Sequence, residues 1–296
     1  MSTPIALYCK SYRTDLKRVI RLADSIAKFN VDRIPFYLSV PGADLALFRE
    51  HLTNQSIEII DDDLIVSHNS SIDKQKLHSL PGSISQQIVK SEFWRLGISD
   101  TYLCLDSDAV FIRPFSRNDF LWKDNIPYTV IDESREFLEA SLQVGKQRIL
   151  TVFRNEAERV QRLFDRPGKA YAFGPLPLLW HRSVWESLEE QYLRPRGMNL
   201  LDAIVSAPME SRWYGEALLS YRAIQLMPCQ PLFKVYHYAW QFDRDRRAKI
   251  NNDQLAQLYC GAIYQSAWER EMDWPAEGGT LSSRIGRRLR RGLGRI

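Results

Sequence analysis

Apolar residues in the first third of the chain follow two different spacings. The short apolar runs typical of buried strands are 5–9, 34–40, 57–60 and 102–105. Apolar positions three or four residues apart, which predict helices, cover 16–27, 45–52 and 83–96. Because strands alternate with helices, we expect an α/β fold with a mostly parallel sheet and helices on both faces. Ligands of such sheets bind beyond the carboxyl ends of the strands.

Two aspartates interrupt an apolar run at the end of the fourth predicted strand. Asp106 and Asp108 are two positions apart, so in extended backbone their side chains face the same side. Two carboxylates beside buried strand residues repel each other unless a cation joins them. Mg²⁺ or Mn²⁺ is the natural cation, because both prefer oxygen ligands. A polar turn between two strands is the alternative interpretation.

Two kinds of enzyme place a D-x-D motif at a strand end. In the first, a cation binds the diphosphate of a nucleotide sugar and stabilises the departing nucleoside diphosphate. In the second, a haloacid-dehalogenase-like phosphatase, Asp106 would itself attack a phosphate. Such phosphatases need paired acids on a later strand, and the nearest candidate, Asp243-Arg-Asp245, lies in a charged stretch. The phosphatase is therefore the second interpretation.

The order of elements and three motifs together resemble the GT-A glycosyltransferases. These motifs are Gln86-Gln-Ile-Val-Lys90, Asp106-Ser-Asp108 and Arg113-Pro-Phe115. The combination also resembles small bacterial glycosyltransferase-like proteins of polysaccharide gene clusters, over roughly the first 120 residues. The resemblance implies a GT-A-like, Rossmann-related fold, a nucleotide-diphosphate sugar donor and a divalent cation. It further implies hexosyl transfer to a hydroxyl of a bacterial glycan or a lipid-linked saccharide.

The resemblance also implies where the donor binds. The implied donor-binding residues are Lys10, Ser11, Asp15, Gln86, Gln87, Lys90, Asp106 and Ser107. Residues at the end of the first strand are where GT-A enzymes meet the nucleotide base and ribose, and Lys90 would neutralise phosphate. A solvated helix surface is the alternative for the helical residues, and an acid favoured by the helix dipole is the alternative for Asp15.

Two later residues are candidates for catalysis and metal binding. Glu216 stands near the beginning of a predicted helix, where the resembling proteins have an acidic residue, so it is the candidate base for the acceptor hydroxyl. Its alternatives are a helix N-terminal acid and a residue that holds the acceptor by hydrogen bonds. His237 follows a strand-like segment, and many GT-A enzymes complete their metal site with a late histidine. A hydrogen-bonded core histidine is the alternative.

The distribution of charge along the chain indicates which kinds of binding partner to expect. The 296 residues carry a net charge of +4, but 282–296 contain six arginines and no acid, so the rest of the chain carries −2. A nucleic-acid partner is therefore not expected. In this tail Leu281, Ile285, Leu289 and Leu293 are four residues apart, which predicts a helix that binds an anionic membrane surface. A solvated, disordered basic tail is the alternative.

We expect one compact domain followed by this tail. Residues 1–115 form the predicted nucleotide-sugar-binding half, 116–275 the acceptor-binding half and 276–296 the basic amphipathic tail. The four cysteines are widely spaced, and neither a signal peptide nor an apolar segment of bilayer length is present. These features predict a cytoplasmic protein, peripheral at the inner face of the cytoplasmic membrane if the tail binds there. A sugar-nucleotide-binding module without turnover remains open, because a D-x-D motif indicates binding and not transfer.

Overall fold

The computed structural model describes residues 4–53 and 55–265. The strands are β1 (Ala6–Lys10), β2 (Phe36–Val40), β3 (Ile57–Asp61), β4 (Thr101–Leu105), β5 (Ala109–Phe111), β6 (Leu121–Trp122), β7 (Ile126–Val130), β8 (Leu178–His181), β9 (Met227–Cys229), β10 (Phe233–Tyr236) and β11 (Gly261–Tyr264). The α-helices are α1 (Leu16–Phe29), α2 (Leu45–His51), α3 (Asp62–Ser67), α4 (Lys74–Ser79), α5 (Gly82–Glu92), α6 (Arg135–Gln143), α7 (Gln147–Leu163), α8 (Arg182–Leu188), α9 (Leu200–Ser206), α10 (Glu210–Tyr221), α11 (Ala239–Arg247) and α12 (Asn252–Leu255).

A five-stranded sheet with the order β3-β2-β1-β4-β8 forms the centre of the molecule. The first four strands of the chain are parallel, and β8 runs antiparallel to β4. The predicted α/β class with a mostly parallel sheet is confirmed. The strand order reverses between β1 and β4, which is where open α/β sheets bind ligands.

Helices cover both faces of this sheet, as the strand pattern predicted. Successive side chains of β1 point to opposite faces. Tyr8 belongs to the apolar cluster that α5, α8, α9 and α10 complete, and its ring stacks on Phe93 with centroids 3.9 Å apart. Leu7 belongs to the opposite cluster, with residues of α1 and α2. Burial of each such side chain contributes about 1.5–3 kcal/mol, so both faces stabilise the sheet.

The polar stretch between β3 and α5 forms two short helices, α3 and α4. An aspartate caps each of them: the Asp61 carboxylate accepts the Asp63 N–H at 2.9 Å, and the Asp73 carboxylate accepts the Lys76 N–H at 3.0 Å. Such caps satisfy N–H groups that a helix start leaves without partners. The stretch therefore forms a wall beside the sheet edge.

A smaller sheet with the order β10-β11-β5 lies next to the D-x-D turn. β11 is antiparallel to β5 and parallel to β10. The four cysteines form no disulfide. No helix in the described part of the chain is long and apolar enough to cross a bilayer. The predicted basic tail, 276–296, lies outside the described residues.

Candidate active site

A polar cleft opens beyond the carboxyl ends of β1, β2 and β3, at the edge where the strand order predicted a ligand site. Its volume is about 1240 Å³, and the N-terminal turn of α5 and the helix α3 form its other walls. Lys10, Asp15 and Gln86, three of the predicted donor-binding residues, line this cleft. Arg18 adds a further cation to its wall. Three carboxylates, of Asp15, Asp62 and Asp63, line the cleft as well, so both cations and anions face it.

At the end of β1, Lys10 lies on the cleft, whereas the next residue, Ser11, is buried. Lys10 Nζ lies 3.1 Å from Asp62 Oδ2 and donates to the Ser11 carbonyl oxygen at 2.9 Å. Burial raises the pKa of Asp62, and the Lys10 ammonium opposes that shift. Ser11, also predicted to contact the donor, is buried, and its hydroxyl has no hydrogen-bond partner among the described residues.

The D-x-D motif forms the turn between β4 and β5. Asp106 Oδ1 accepts a hydrogen bond from Lys90 Nζ at 2.6 Å, and Lys90 is almost completely buried on α5. Burial alone lowers the pKa of Lys90, but the adjacent Asp106 carboxylate more than reverses this, so the net shift is upward. The ammonium therefore keeps its proton and cancels the charge of Asp106.

Ser107 and Asp108 tie this turn to its surroundings. The Ser107 hydroxyl lies 3.3 Å from Asp15 Oδ2, and Asp15 also pairs with Arg18. Asp108 is buried, and its carbonyl oxygen accepts the Tyr264 N–H at 3.1 Å. The structure thus brings the predicted residues Asp15, Lys90, Asp106 and Ser107 together around the switch point of the sheet.

The two neighbouring glutamines of α5 differ in position. Gln86 lines the cleft. Gln87 does not line it: its side-chain oxygen accepts the Met209 N–H at 2.8 Å, and its side-chain nitrogen donates to the Ser83 carbonyl oxygen at 2.8 Å. Successive residues of a helix point about 100° apart, which separates the two side chains. Gln87 therefore holds the start of α10, a contact that the sequence did not predict.

Glu216, the predicted base, is held in an ion pair. Helix α10 begins six residues earlier than expected, so Glu216 lies in its middle and not near its start. Its carboxylate is buried, and both oxygens accept from Arg166, one of them at 2.9 Å. Arg166 also donates to the Lys169 carbonyl oxygen at 2.7 Å. This ion pair connects the loop after α7 to α10, so Glu216 has a structural role.

Glu210, the first residue of α10, follows Met209, whose N–H is bound by Gln87 on the helix that carries Lys90. Burial raises the pKa of Glu210, the Lys90 ammonium lowers it, and the Asp106 carboxylate raises it, so all three groups interact. Glu210 also lines a second, mostly apolar cavity of about 650 Å³. Glu210 was not among the predicted site residues. An acid two positions after Pro208, at a helix start, is the signal that was available.

His237 does not join the aspartates in a metal-binding cluster. It follows β10, which β11 separates from β5 and the D-x-D turn. Tyr236 pairs with Tyr264, whose N–H donates to the Asp108 carbonyl oxygen, so His237 and Asp108 lie nearly level, with two strand spacings of roughly 10 Å in total between their backbones. Burial lowers the pKa of His237 to about 4, so the ring is neutral. Across residues 4–53 and 55–265, no three His, Cys, Asp or Glu side chains are placed to hold a metal ion together.

The chain is similar to one protein family and to solved structures. The sequence model of DUF6492, a family of unknown function, matches residues 3–220. The chain belongs to this family. The match includes every candidate named above except His237. No curated protein matches the chain. Among solved structures, apo mouse xyloside xylosyltransferase 1 is similar, with 10% identity and a TM-score of 0.47, over 88% of this chain and 97% of that one. So distant a similarity does not identify a reaction.

The donor set of this DUF6492 chain does not match the predicted metal centre of Asp106, Asp108 and His237. One oxygen of Asp106 is taken by an ammonium group, and among the described residues His237 is not grouped with the two aspartates around one point. The later acids of the phosphatase interpretation are also elsewhere: Asp243 and Asp245 lie on α11, each paired with an arginine. What the site does bring together is a buried Lys–Asp pair, a protonatable carboxyl, a polar cleft and an apolar cavity.

Proposed function

We propose that the chain is a glycosyltransferase that moves a hexosyl group from a nucleotide-diphosphate donor to a hydroxyl of a glycan or lipid-linked acceptor. The observation that supports this most is the group formed by Lys90, Asp106 and Glu210 at the switch point of the sheet. The polar cleft reaches Gln86 and Val89 on the helix that carries Lys90. The apolar cavity reaches Glu210. The cavity thus reaches one member of this group, and the cleft reaches the helix that carries another.

The cations of the cleft suit an anionic donor. Lys10 and Arg18 line it, and in the proposed complex they exchange their carboxylate partners, Asp62 and Asp15, for phosphate oxygens. Lys90 cancels the charge of Asp106, so that carboxylate does not repel a diphosphate. In this respect the ammonium supplies part of what the sequence analysis expected from a divalent cation.

Glu210 takes the role that the sequence analysis gave to Glu216. In the proposed reaction the acceptor oxygen bonds to the anomeric carbon while the bond from that carbon to the diphosphate breaks. The Glu210 carboxylate accepts the hydroxyl proton, and the diphosphate leaves with the bonding electron pair. Glu216 cannot take this role without giving up Arg166, which holds both of its oxygens.

The test combines donor binding with turnover. Nucleotide sugars that bind the folded protein raise its melting temperature, which identifies the donor from a panel of uridine and guanosine diphosphate sugars. With that donor, Glu210→Gln should lower kcat by about 10²–10⁴-fold and keep the donor-induced shift. Glu216→Gln should lower the melting temperature and keep kcat. Wild-type kcat in Glu210→Gln would contradict the proposed base.

The pH profile provides a second readout of the same carboxyl. Burial raises the pKa of Glu210 above its usual value, and only the ionised form accepts a proton. We therefore expect kcat/KM of the wild type to rise with pH through that raised pKa, on the alkaline side of an ordinary glutamate. Glu210→Gln should lack this rise. An identical acid limb in the variant would assign the limb to another group.

Several finer predictions remain to be tested with the same assay. Comparing transfer in EDTA with transfer in Mn²⁺ or Mg²⁺ tests the predicted metal dependence. Nucleotide-sugar binding without any turnover would favour the non-catalytic binding module. Cytoplasmic location, a bacterial glycan as acceptor and the anionic membrane surface also stay predictions. For the last, the full chain and a chain ending at residue 280 can be compared in liposome sedimentation.

A further inference from the structure

The second cavity is the feature that the donor chemistry does not use. It is about 650 Å³ in volume, within the range of small-molecule sites. Helices α6 and α7 and the segment before β8 form it, and its apolar walls include Phe137, Ile149, Phe153 and Leu176. Glu210 lies on its wall. The cavity therefore ends at the carboxylate to which the proposed reaction brings the acceptor hydroxyl.

A buried polar group on this wall has no protein partner. His237 is only 7% exposed and lines the cavity, and its Nδ1 has no hydrogen-bond partner among the described residues. Buried polar groups are nearly always hydrogen-bonded, so an exception is expected where a ligand or water supplies the partner. This observation is independent of the cavity's shape and points to an occupant with at least one polar atom.

The remaining wall limits what that occupant can be. The wall also includes the polar side chains of Arg148, Glu156 and Gln265. A saccharide that lies against Phe137, Ile149 and Leu176 would nevertheless bring hydroxyl groups to side chains that offer no hydrogen bonds. A hydrocarbon would lose no hydrogen bonds in the same place. Val152, on α7, lines the cavity and is 43% exposed, so an apolar side chain also meets solvent there. The wall and its surroundings therefore favour an alkyl chain.

We propose that this cavity binds the hydrocarbon part of an amphipathic acceptor, with the acceptor's hydroxyl group next to Glu210. The inference rests on the proposed function for the role of that hydroxyl, but the binding of the alkyl chain does not depend on turnover. The acceptor class is thus an alkyl glycoside or a lipid-linked saccharide. Its polar head lies at the Glu210 and His237 wall.

The test measures equilibrium binding of n-butyl, n-hexyl and n-octyl β-glucosides to the full chain by calorimetry, below their micelle-forming concentrations. Each buried methylene should tighten binding about fourfold, equivalent to about 0.8 kcal/mol, until the cavity is full. Val152→Asp places a charge on the cavity wall at a position that is 43% exposed, so folding should be unaffected. It should weaken octyl glucoside binding about tenfold or more.

Val205→Asp is the matched control, because Val205 is also a helical valine, 42% exposed, and does not line the cavity. It should leave binding unchanged. Affinity independent of chain length, or equal losses in the two variants, would overturn the proposal. Tighter binding of phenyl than of octyl glucoside would overturn it in favour of an aromatic group. If alkyl chains bind as expected and no donor is ever transferred, the proposed function fails and the alkyl site stands.

Discussion

Replacing Lys90 by methionine tests the buried charge pair at the centre of the site. Methionine keeps a long, unbranched side chain and removes the ammonium group. The side chain of Lys90 is 3% exposed and that of Asp106 is 26% exposed, with 2.6 Å between Nζ and Oδ1. After the substitution, the Asp106 carboxylate loses its counter-ion but keeps some access to water. Glu210 loses a favourable charge as well.

The expected loss follows from this difference in exposure. Removing one partner of a fully buried ion pair costs about 3–5 kcal/mol, because the other charge is left without compensation. Because Asp106 is partly hydrated, we expect Lys90→Met to lower the free energy of unfolding by about 3 kcal/mol, the lower end of this range. Lys76→Met is the control: Lys76 and Asp202 are 3.0 Å apart but 49% and 37% exposed. That surface pair should contribute less than about 1 kcal/mol.

Urea denaturation at neutral pH, analysed by linear extrapolation, measures both losses. The double variant Lys90→Met, Asp106→Asn should regain part of the stability that Lys90→Met loses, because the unpaired charge is then gone. The same proteins report on function, since an unpaired Asp106 should weaken binding of a nucleoside diphosphate. Equal destabilisation by Lys90→Met and Lys76→Met would refute the reasoning, as would a double variant less stable than Lys90→Met alone.

Two further substitutions test packing around α10. Gly215→Ala should lower the free energy of unfolding by about 2 kcal/mol or more, because its Cβ would overlap the ring of Phe173. Gly82→Ala has open space, so the melting temperature should stay the same or rise slightly. Arg166→Met should destabilise by about 3–5 kcal/mol because it leaves the buried Glu216 carboxylate without its partner, whereas Glu216→Gln should cost less in the same urea titration.

The parallel sheet and the residues at its edge were the most predictable part of the molecule. Strand ends that share one edge follow from strand direction alone, so Lys10, Asp15 and Asp106 could be placed near one another without coordinates. The end of the helical segment was also predictable from local signals. After α5 the chain passes through a 3₁₀ turn to Gly97, which lies in the left-handed region at φ +66°. The first prediction depends on a general rule of sheet topology, and the second depends on residues that are neighbours in the chain.

The partners of individual side chains were not predictable. Glu216 and Arg166 are 50 residues apart, and nothing local in either segment indicates the pairing. The same holds for Gln87, whose partner is a backbone N–H 122 residues away. The predicted set of Asp106, Asp108 and His237 forms no ligand cluster in the described part of the chain, where Asp106 is paired with Lys90 on another element. In each case the partner of the side chain depends on tertiary placement, which no local residue pattern encodes.

Gln87 and Lys90 are one turn apart on α5, which makes this helix a spacer of fixed length between the D-x-D turn and the start of α10. Lys90 binds the D-x-D turn, and Gln87 binds the peptide N–H at residue 209, directly before Glu210. The second contact is made to main chain, so it does not depend on which side chain residue 209 carries. The backbone there is restricted all the same, because Met209 has φ +109°, which residues other than glycine rarely adopt. The spacing of the two carboxylates is therefore set by main chain and by α5, and the side chains that line the apolar cavity do not determine it.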